Sequence, residues 1–168
     1  MRQEHMEKRE FLTPLLLDGF GGELPEEEHR MLMKEAISCG LLDGEEPEAL
    51  NYAVMVTRIL DKDGKNCTTR GSVKAIDSIK KYTKYCSVYL QGRVVSLLLA
   101  TPRGFDKYLH ILVDDICQSV ERIMGMDSVI GVSRVVKKLE RCHECYLEAM
   151  SAAANYGKEE GNIHFISD

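Results

Sequence analysis

The sequence predicts an α/β (α+β) sandwich, in which helices pack on a mixed β-sheet of about five strands, preceded by N-terminal helices. Three observations predict this fold class. Strand-like runs rich in β-branched residues alternate with amphipathic helical segments in the order β-α-β-β-α-β-α-β. The run from Val94 to Ala100 is almost entirely apolar, which is typical of a strand covered on both faces. The length of 168 residues suits one hydrophobic core.

Residues 1–40 are predicted to form a helical arm and connector that precedes the α/β domain of residues 41–168. The first helix, over residues 4–17, becomes apolar towards its end, and Pro14 inside it should kink or restart it. The second helix has Pro25 near its start and Gly40 at its end. The apolar side chains of the first helix allow two interpretations, a dimer seam or docking on the chain's own sheet. These side chains are Phe11, Leu12, Leu15 and Leu16.

The first half of the α/β domain is predicted to contain a strand, a helix and a hairpin. Asn51–Leu60 is β-branched and apolar, as expected of a strand, and is followed by the polar loop Asp61–Asn66. Apolar residues then recur at helical spacing from Gly71 to Tyr85. Two further strand-like runs flank Gln91-Gly92, which indicates a tight β-hairpin.

The second half of the domain alternates helices with strands. The segment Gly104–Gly125 predicts a long amphipathic helix. A short strand follows in "SVIGVSRV", then a helix over Leu139–Tyr156 closed by Gly157, and a last strand in "NIHFIS". The buried stripe of the long helix is approximated by Tyr108, Ile111, Leu112, Asp115, Ile116 and Val120.

Composition and charge disfavour several classes of function. The chain carries 27 acidic and 22 basic residues and a net charge of −5. An acidic chain lacks the excess positive charge that would neutralise nucleic-acid phosphates. We therefore expect no direct binding of DNA or RNA. No apolar run approaches the ~20 residues of a membrane span, and the charged N-terminus lacks a signal-peptide core. We expect a cytoplasmic protein whose six cysteines are reduced and buried.

The motif Cys142-His143-Glu144-Cys145 raises the question of metal, haem or redox chemistry. Haem attachment requires the histidine directly after the second cysteine, and structural zinc usually requires a second pair of ligands; the sequence has neither. A redox pair would lie at a helix N-terminus, whereas this pair is predicted past the start of its helix, on the buried stripe. We expect core packing and assign no metal ligand, with a thiol or zinc sensor as the alternative.

Other motifs supply no catalytic constellation. Asp61 and Asp63 faintly resemble a calcium loop, but the glycine and the bidentate glutamate of such a loop are absent. The glycines near Gly19 follow a helix and not a strand, so they do not form a dinucleotide loop. The five histidines are dispersed, and no serine stands in a nucleophile-elbow context. The sequence therefore predicts no catalytic residue.

Several motifs together carry a family resemblance. Ile130-Gly131-Val132-Ser133 resembles a strand end of the form Ile-Gly-Xaa-Gly/Ser, and Cys145–Met150 resembles a helix core of the form Ser-Tyr-Xaa-Glu-Ala-Leu. Gly157-Lys158 and the last strand follow in the same order, and Lys8–Gly19 resembles the family's Phe-Leu-Xaa-Xaa-Leu-Leu-Xaa-Gly start. These features resemble the GGDEF-like domain of YesN-type response regulators of the AraC class, related to that of PucR/CdaR-type regulators.

The resemblance implies the fold of diguanylate-type nucleotide cyclases without their chemistry. Those enzymes need a Gly-Gly-Asp/Glu-Glu-Phe hairpin, whose glycines admit the nucleotide and whose acid holds a metal ion. The corresponding hairpin, Tyr89–Val95, has one glycine and no carboxylate, and carries Arg93 where negative charge is required. Only Asp61 lies near the second metal position. We therefore expect no enzymatic activity and no cofactor.

The resemblance implies a non-catalytic regulatory or signal-transmission domain of a bacterial two-component or AraC-class transcriptional regulator. Expected partners are a second copy of the chain and, in the full-length protein, a receiver or sensor domain and an AraC-type DNA-binding domain. The alternative is a sensor domain that binds a nucleotide or another small ligand in the degenerate cyclase cleft. Arg93 and Asp61 are its candidate ligand-binding residues.

Overall fold

A computed structural model of the chain describes residues 7–43, 49–79, 84–154 and 161–166. Helices and strands follow one another as α1 Lys8–Leu17, α2 Glu26–Ser38, β1 Asn51–Leu60, α3 Gly71–Asp77, β2 Lys84–Leu90, β3 Arg93–Ala100, α4 Pro102–Met124, β4 Asp127–Val132, α5 Cys142–Ala154 and β5 Ile163–Phe165. A 3₁₀ turn, Leu139–Arg141, leads into α5. Parts of the predictions lie outside the described residues: the start of the first helix, residues 80–83, the helix beyond Ala154 with Gly157-Lys158, and residues 167–168.

The strands form one five-stranded mixed sheet in the order β2-β3-β1-β4-β5, as the sequence predicts. The central strand β1 pairs antiparallel with β3 and β4, β2 pairs antiparallel with β3, and β5 runs parallel to β4. Gln91 and Gly92 join β2 to β3 with φ angles of 52° and 79°. Two successive positive φ angles are the signature of a type I′ turn, so the predicted hairpin is confirmed.

Helices cover both faces of the sheet and create two hydrophobic cores. Val54 and Val56 of β1 pack on the face that carries α1, α2 and α5. Met55 and Ile59 pack on the opposite face, against α3 and α4. Because successive residues of a strand point to opposite faces, an apolar strand such as β1 supplies both cores at once. We refer to the two sides as the α5 face and the α4 face.

The third predicted helix is too long. It ends at Asp77, and Lys84 and Tyr85 belong to β2. The Tyr85 hydroxyl donates a hydrogen bond to Ile76 O at 2.6 Å. This contact and the pairing of β2 with β3 outweigh the helical spacing of the local sequence.

The buried stripe of α4 includes the predicted Leu112, Ile116 and Val120 but differs from the prediction at the other three positions. Leu109 and Val113 are buried, whereas Ile111 is 46% exposed and Tyr108 and Asp115 are half-buried. The helix also begins at Pro102, capped by Thr101, whose Oγ1 accepts a hydrogen bond from Gly104 N at 3.1 Å. No helix in the described part of the chain combines the length and the apolar composition that a membrane span requires.

The N-terminal helices belong to the core on the α5 face. The side chains named above as either a dimer seam or a docking face are all buried there: Phe11, Leu12, Leu15 and Leu16. In this structure these side chains therefore dock on the chain's own sheet, and they are not exposed to a second copy. Helix α1 continues through Pro14 and does not restart there. The segments on the two sides of the predicted division at residue 40 therefore both contribute to the core on the α5 face.

Candidate functional site

The structure brings both predicted ligand-binding residues to the same end of the sheet. Arg93 is the first residue of β3, directly after the hairpin turn, and Asp61 directly follows the end of β1. Asn66 donates a hydrogen bond from Nδ2 to Gly92 O at 2.9 Å, which ties the loop after β1 to the hairpin tip. The loop after β1 and the hairpin tip therefore form one connected end of the sheet.

Asp61 stabilises its own loop. Its Oδ1 accepts hydrogen bonds from the backbone N–H groups of Asp63 and Lys65, both at 2.9 Å. An aspartate that accepts from residues two and four positions ahead is a common turn-forming device. This arrangement gives Asp61 a structural role, and one of its two carboxylate oxygens is already engaged.

Arg93 lies on the α5 face of the sheet, beside a second arginine. The register that pairs Thr57 with Val94 places Arg58 opposite Arg93. Arg58 Nη1 donates to Ala153 O at 2.7 Å, at the C-terminal end of α5. Burial and, after it, the positive charge of Arg93 lower the pKa of Arg58. Two guanidinium groups thus share a partly desolvated position at the hairpin end.

Within the described ranges, Arg93 uses little of its hydrogen-bonding capacity. Its Nη1 donates to Gln91 O at 3.0 Å within the hairpin turn. Its Nε is buried and has no hydrogen-bond partner among the described residues, and the same is true of the Tyr146 hydroxyl on α5. Sequence reasoning selected Arg93 but missed Arg58 and Tyr146. The hairpin turn fixes the register of β2 with β3 only, and no local pattern gives the register of β1 with β3 that pairs the two arginines.

The Cys-His-Glu-Cys motif begins α5, so its predicted position past the helix start is wrong. Both thiols are buried, and Cys142 and Cys145 pack in the core on the α5 face. A helix N-terminus usually lowers a thiol pKa. Here burial has the larger effect. It raises the pKa of Cys142 well above its ordinary value and the pKa of Cys145 to about 11. Core packing is the role that the described geometry supports.

We expect Cys142 and Cys145 to remain unreactive towards DTNB in the folded protein, because buried thiols of raised pKa form little thiolate at neutral pH. The partly exposed Cys39 serves as the internal comparison. Mass spectrometry after brief labelling identifies the modified residues, and labelling in denaturant gives the full count of six. Labelling of either residue of the pair as fast as Cys39 would contradict the packing role.

His143 of the same motif helps to attach α1 to the rest of the domain. His143 donates a hydrogen bond from Nδ1 to Leu16 O at 2.5 Å, in the last turn of α1. The ring also lies against Gly19, where a Cβ would come within 2.7 Å of His143 Cβ. At the other end of α1, Arg9 donates to Ser87 O at 2.9 Å and to Asp77 Oδ2 at 2.7 Å.

Helix α2 is attached through a buried acid–base pair. Glu140 Oε1 lies 2.7 Å from His29 Nδ1, and Glu140 Oε2 accepts from Leu24 N at 3.0 Å. Burial acts to raise the pKa of Glu140. Hydrogen bonds from its own N–H, from Leu24 and from His29 outweigh burial and hold the pKa of Glu140 below its ordinary value. We call Glu140 and His143, with the groups that they bind on α1, α2 and Leu24, the docking junction.

No protein-family model, curated protein or solved structure matches the chain. Within the described ranges, no three His, Cys, Asp or Glu side chains lie close enough together to hold a metal ion. The arginine pair at the hairpin end and the docking junction are the two places where the described geometry suggests a function.

Proposed function

We propose that this chain is a non-catalytic regulatory domain that transmits a signal within a bacterial transcriptional regulator of the AraC class. We further propose that its fold is the GGDEF-like one. The support is the order of its elements: the β2–β3 hairpin, the strand that contains Gly131, the helix after it and the last strand follow one another as the sequence resemblance requires.

The observation that carries the proposal is the docking junction. Glu140 and His143 lie three residues apart, and between them they hold α2, the chain before α2 and the end of α1. A signal-transmitting domain needs an element whose displacement changes the rest of the molecule. A shift of α1 or α2 would break hydrogen bonds to the start of α5, which packs on β1 and β4. The junction thus offers a physical route from the N-terminal helices to the sheet.

The chemistry of the hairpin end supports the non-catalytic part of the proposal. The tip presents Gln91, Gly92 and Arg93 and no carboxylate, while Asp61 is engaged in its own loop. A nucleotide cyclase requires carboxylates to hold metal ions on the triphosphate. Incubation with GTP and manganese is therefore expected to yield no cyclic product. Turnover that depends on this chain would contradict the proposal.

The proposed partners are a second copy of the chain, an upstream receiver or sensor domain and a downstream AraC-type DNA-binding domain, all in the cytoplasm. Leu17, Phe20 and Met31 are exposed apolar side chains on α1, the following turn and α2. A second copy could bind to them without disturbing the buried core. Sedimentation velocity over a range of concentrations is expected to show a dimer. A monomer throughout would remove self-association from the proposal.

The sequence of the open reading frame on both sides of these residues tests the class directly. We expect a receiver or sensor domain before them and a pair of helix-turn-helix motifs after them. Flanking segments that encode an enzyme, or a transport protein, would contradict the proposal. The second candidate function, a small-ligand sensor, is favoured by the Arg93 Nε and the Tyr146 hydroxyl, two buried groups with no hydrogen-bond partner in the described part of the chain.

A further inference from the structure

We propose that Arg93, Arg58 and Tyr146 form a binding site for a phosphate group at the hairpin end of the α5 face. This inference deepens the second candidate function and does not depend on the docking junction. It concerns residues on β1, β3 and α5, all of them described.

The first argument is the hydrogen-bonding state of Arg93. Its only hydrogen bond within the described residues runs from Nη1 to Gln91 O, at 3.0 Å. Its Nε is shielded from solvent and meets no acceptor there. A buried donor without an acceptor is costly, and a guanidinium is a planar fork of five donors that fits the oxygens of a phosphate or carboxylate. Arg93 therefore has donors to give to an anion.

The second argument is the hydroxyl of Tyr146. The side chain is 4% exposed, and its oxygen has no hydrogen-bond partner among the described residues. Buried tyrosine hydroxyls usually find a partner. Burial raises the pKa of Tyr146 and the charge of Arg93 acts in the opposite direction, as expected for two groups near each other. The hydroxyl stays protonated at neutral pH and can donate to the same anion.

The third argument is charge. Arg58 stands opposite Arg93 across the two strands, and like charges in this position repel each other. Arg58 is also partly desolvated, and its donors to Ala153 O and Ala154 O keep it on this face. A phosphate dianion bound to Arg93 would weaken this repulsion and use the bidentate geometry that arginine favours.

Inorganic phosphate and a phosphate ester are alternative sources of this group, and the experiment separates them. Thermal unfolding and calorimetric titration of the whole chain would use inorganic phosphate, 5′-AMP and, as a monoanion control, acetate, all at matched ionic strength. Inorganic phosphate is expected to raise the unfolding temperature more than acetate does. A larger rise with 5′-AMP would identify a phosphate ester as the better ligand, and an equal rise would identify the phosphate group alone.

Three variants connect the effect to the site. Arg93→Gln is expected to weaken phosphate binding about tenfold or more, because it removes a charge-assisted donor group, and it should fold because the side chain makes one described hydrogen bond. Arg103→Gln, on the exposed start of α4, removes the same charge elsewhere and should bind phosphate as the unmodified chain does. Tyr146→Phe should keep or slightly raise stability without phosphate, because it removes a buried hydroxyl that has no partner among the described residues. It should nevertheless bind phosphate more weakly.

Two results would overturn the proposal: stabilisation by phosphate no greater than by acetate, or phosphate binding by Arg93→Gln as tight as by Arg103→Gln. A loss of binding in both arginine variants would also overturn it, because it would indicate nonspecific charge attraction. Each of these results leaves the docking junction untouched, so the signal-transmission proposal is tested separately.

Discussion

Replacing Gly131 with alanine is expected to lower the free energy of unfolding by about 3 kcal/mol, the upper range for overpacking a well-packed core. Gly131 lies in β4, where α5 crosses the sheet. A Cβ there would lie 2.2 Å from Ala149 O and 2.7 Å from Ala153 N. Both are backbone atoms of α5 and cannot rotate away, so the whole helix would have to move. Urea unfolding followed by circular dichroism gives the free energy.

Gly71→Ala is the matched control for this substitution. The position starts α3, its φ is not positive, and an added Cβ would meet only Thr69 Oγ1, at an ordinary 3.6 Å. Alanine also favours a helix over glycine, so the control should be neutral or slightly stabilising. Equal stability of Gly131→Ala and the unmodified chain would show that α5 does not pack as closely on β4 as described.

Glu140→Ala is expected to lower the free energy of unfolding by about 3 kcal/mol, because it removes a buried carboxylate that accepts two hydrogen bonds. His29 and the Leu24 N–H would each lose the hydrogen bond that they make with Glu140. The control is Glu144→Ala, which removes a half-exposed carboxylate that pairs with Arg141 at 2.7 Å. Such pairs contribute at most about 1 kcal/mol. Equal losses in the two variants would contradict the role of the docking junction.

The same pair predicts a dependence of stability on pH. The pKa of Glu140 is lower in the folded chain than its ordinary value of 4.5. The unfolded state therefore takes up a proton first as the pH falls, and the stability contributed by Glu140 is fully present above pH 4.5 and lost below it. Urea unfolding between pH 3 and 7 should show a shallower acid-side loss in Glu140→Gln than in the unmodified chain, whereas parallel profiles would contradict this assignment.

Much of the fold follows from local patterns. The β-branched run Asn51–Leu60 predicts β1 with its observed ends, and Gln91-Gly92 predicts the hairpin because few dipeptides adopt two positive φ angles. Helix limits are less predictable where tertiary contacts compete with spacing. Tyr85 fits the helical pattern of its neighbours, but pairing with Leu98 of β3 places it in a strand.

The candidate sites could be predicted only in part. Arg93 follows from its position beside the hairpin turn, and the burial of Cys142 and Cys145 follows from the apolar stripe of their helix. The His29–Glu140 pair joins residues 111 positions apart, and no local spacing relates them. Tyr146 lies on the predicted stripe like a core residue, and only the packing of α5 on the sheet shows that its hydroxyl has no hydrogen-bond partner among the described residues.

Hydrogen–deuterium exchange in the unmodified chain and in His143→Ala tests the central claim, that the docking junction couples the N-terminal helices to the sheet. The amides of α1 and α2 should be protected nearly as well as those of β1, and removing the His143–Leu16 hydrogen bond should speed exchange in α1 and in the first turn of α5 together. If α1 and α2 exchange rapidly in the unmodified chain while β1 stays protected, the helices are not coupled to the sheet. The proposed route of signal transmission would then be contradicted.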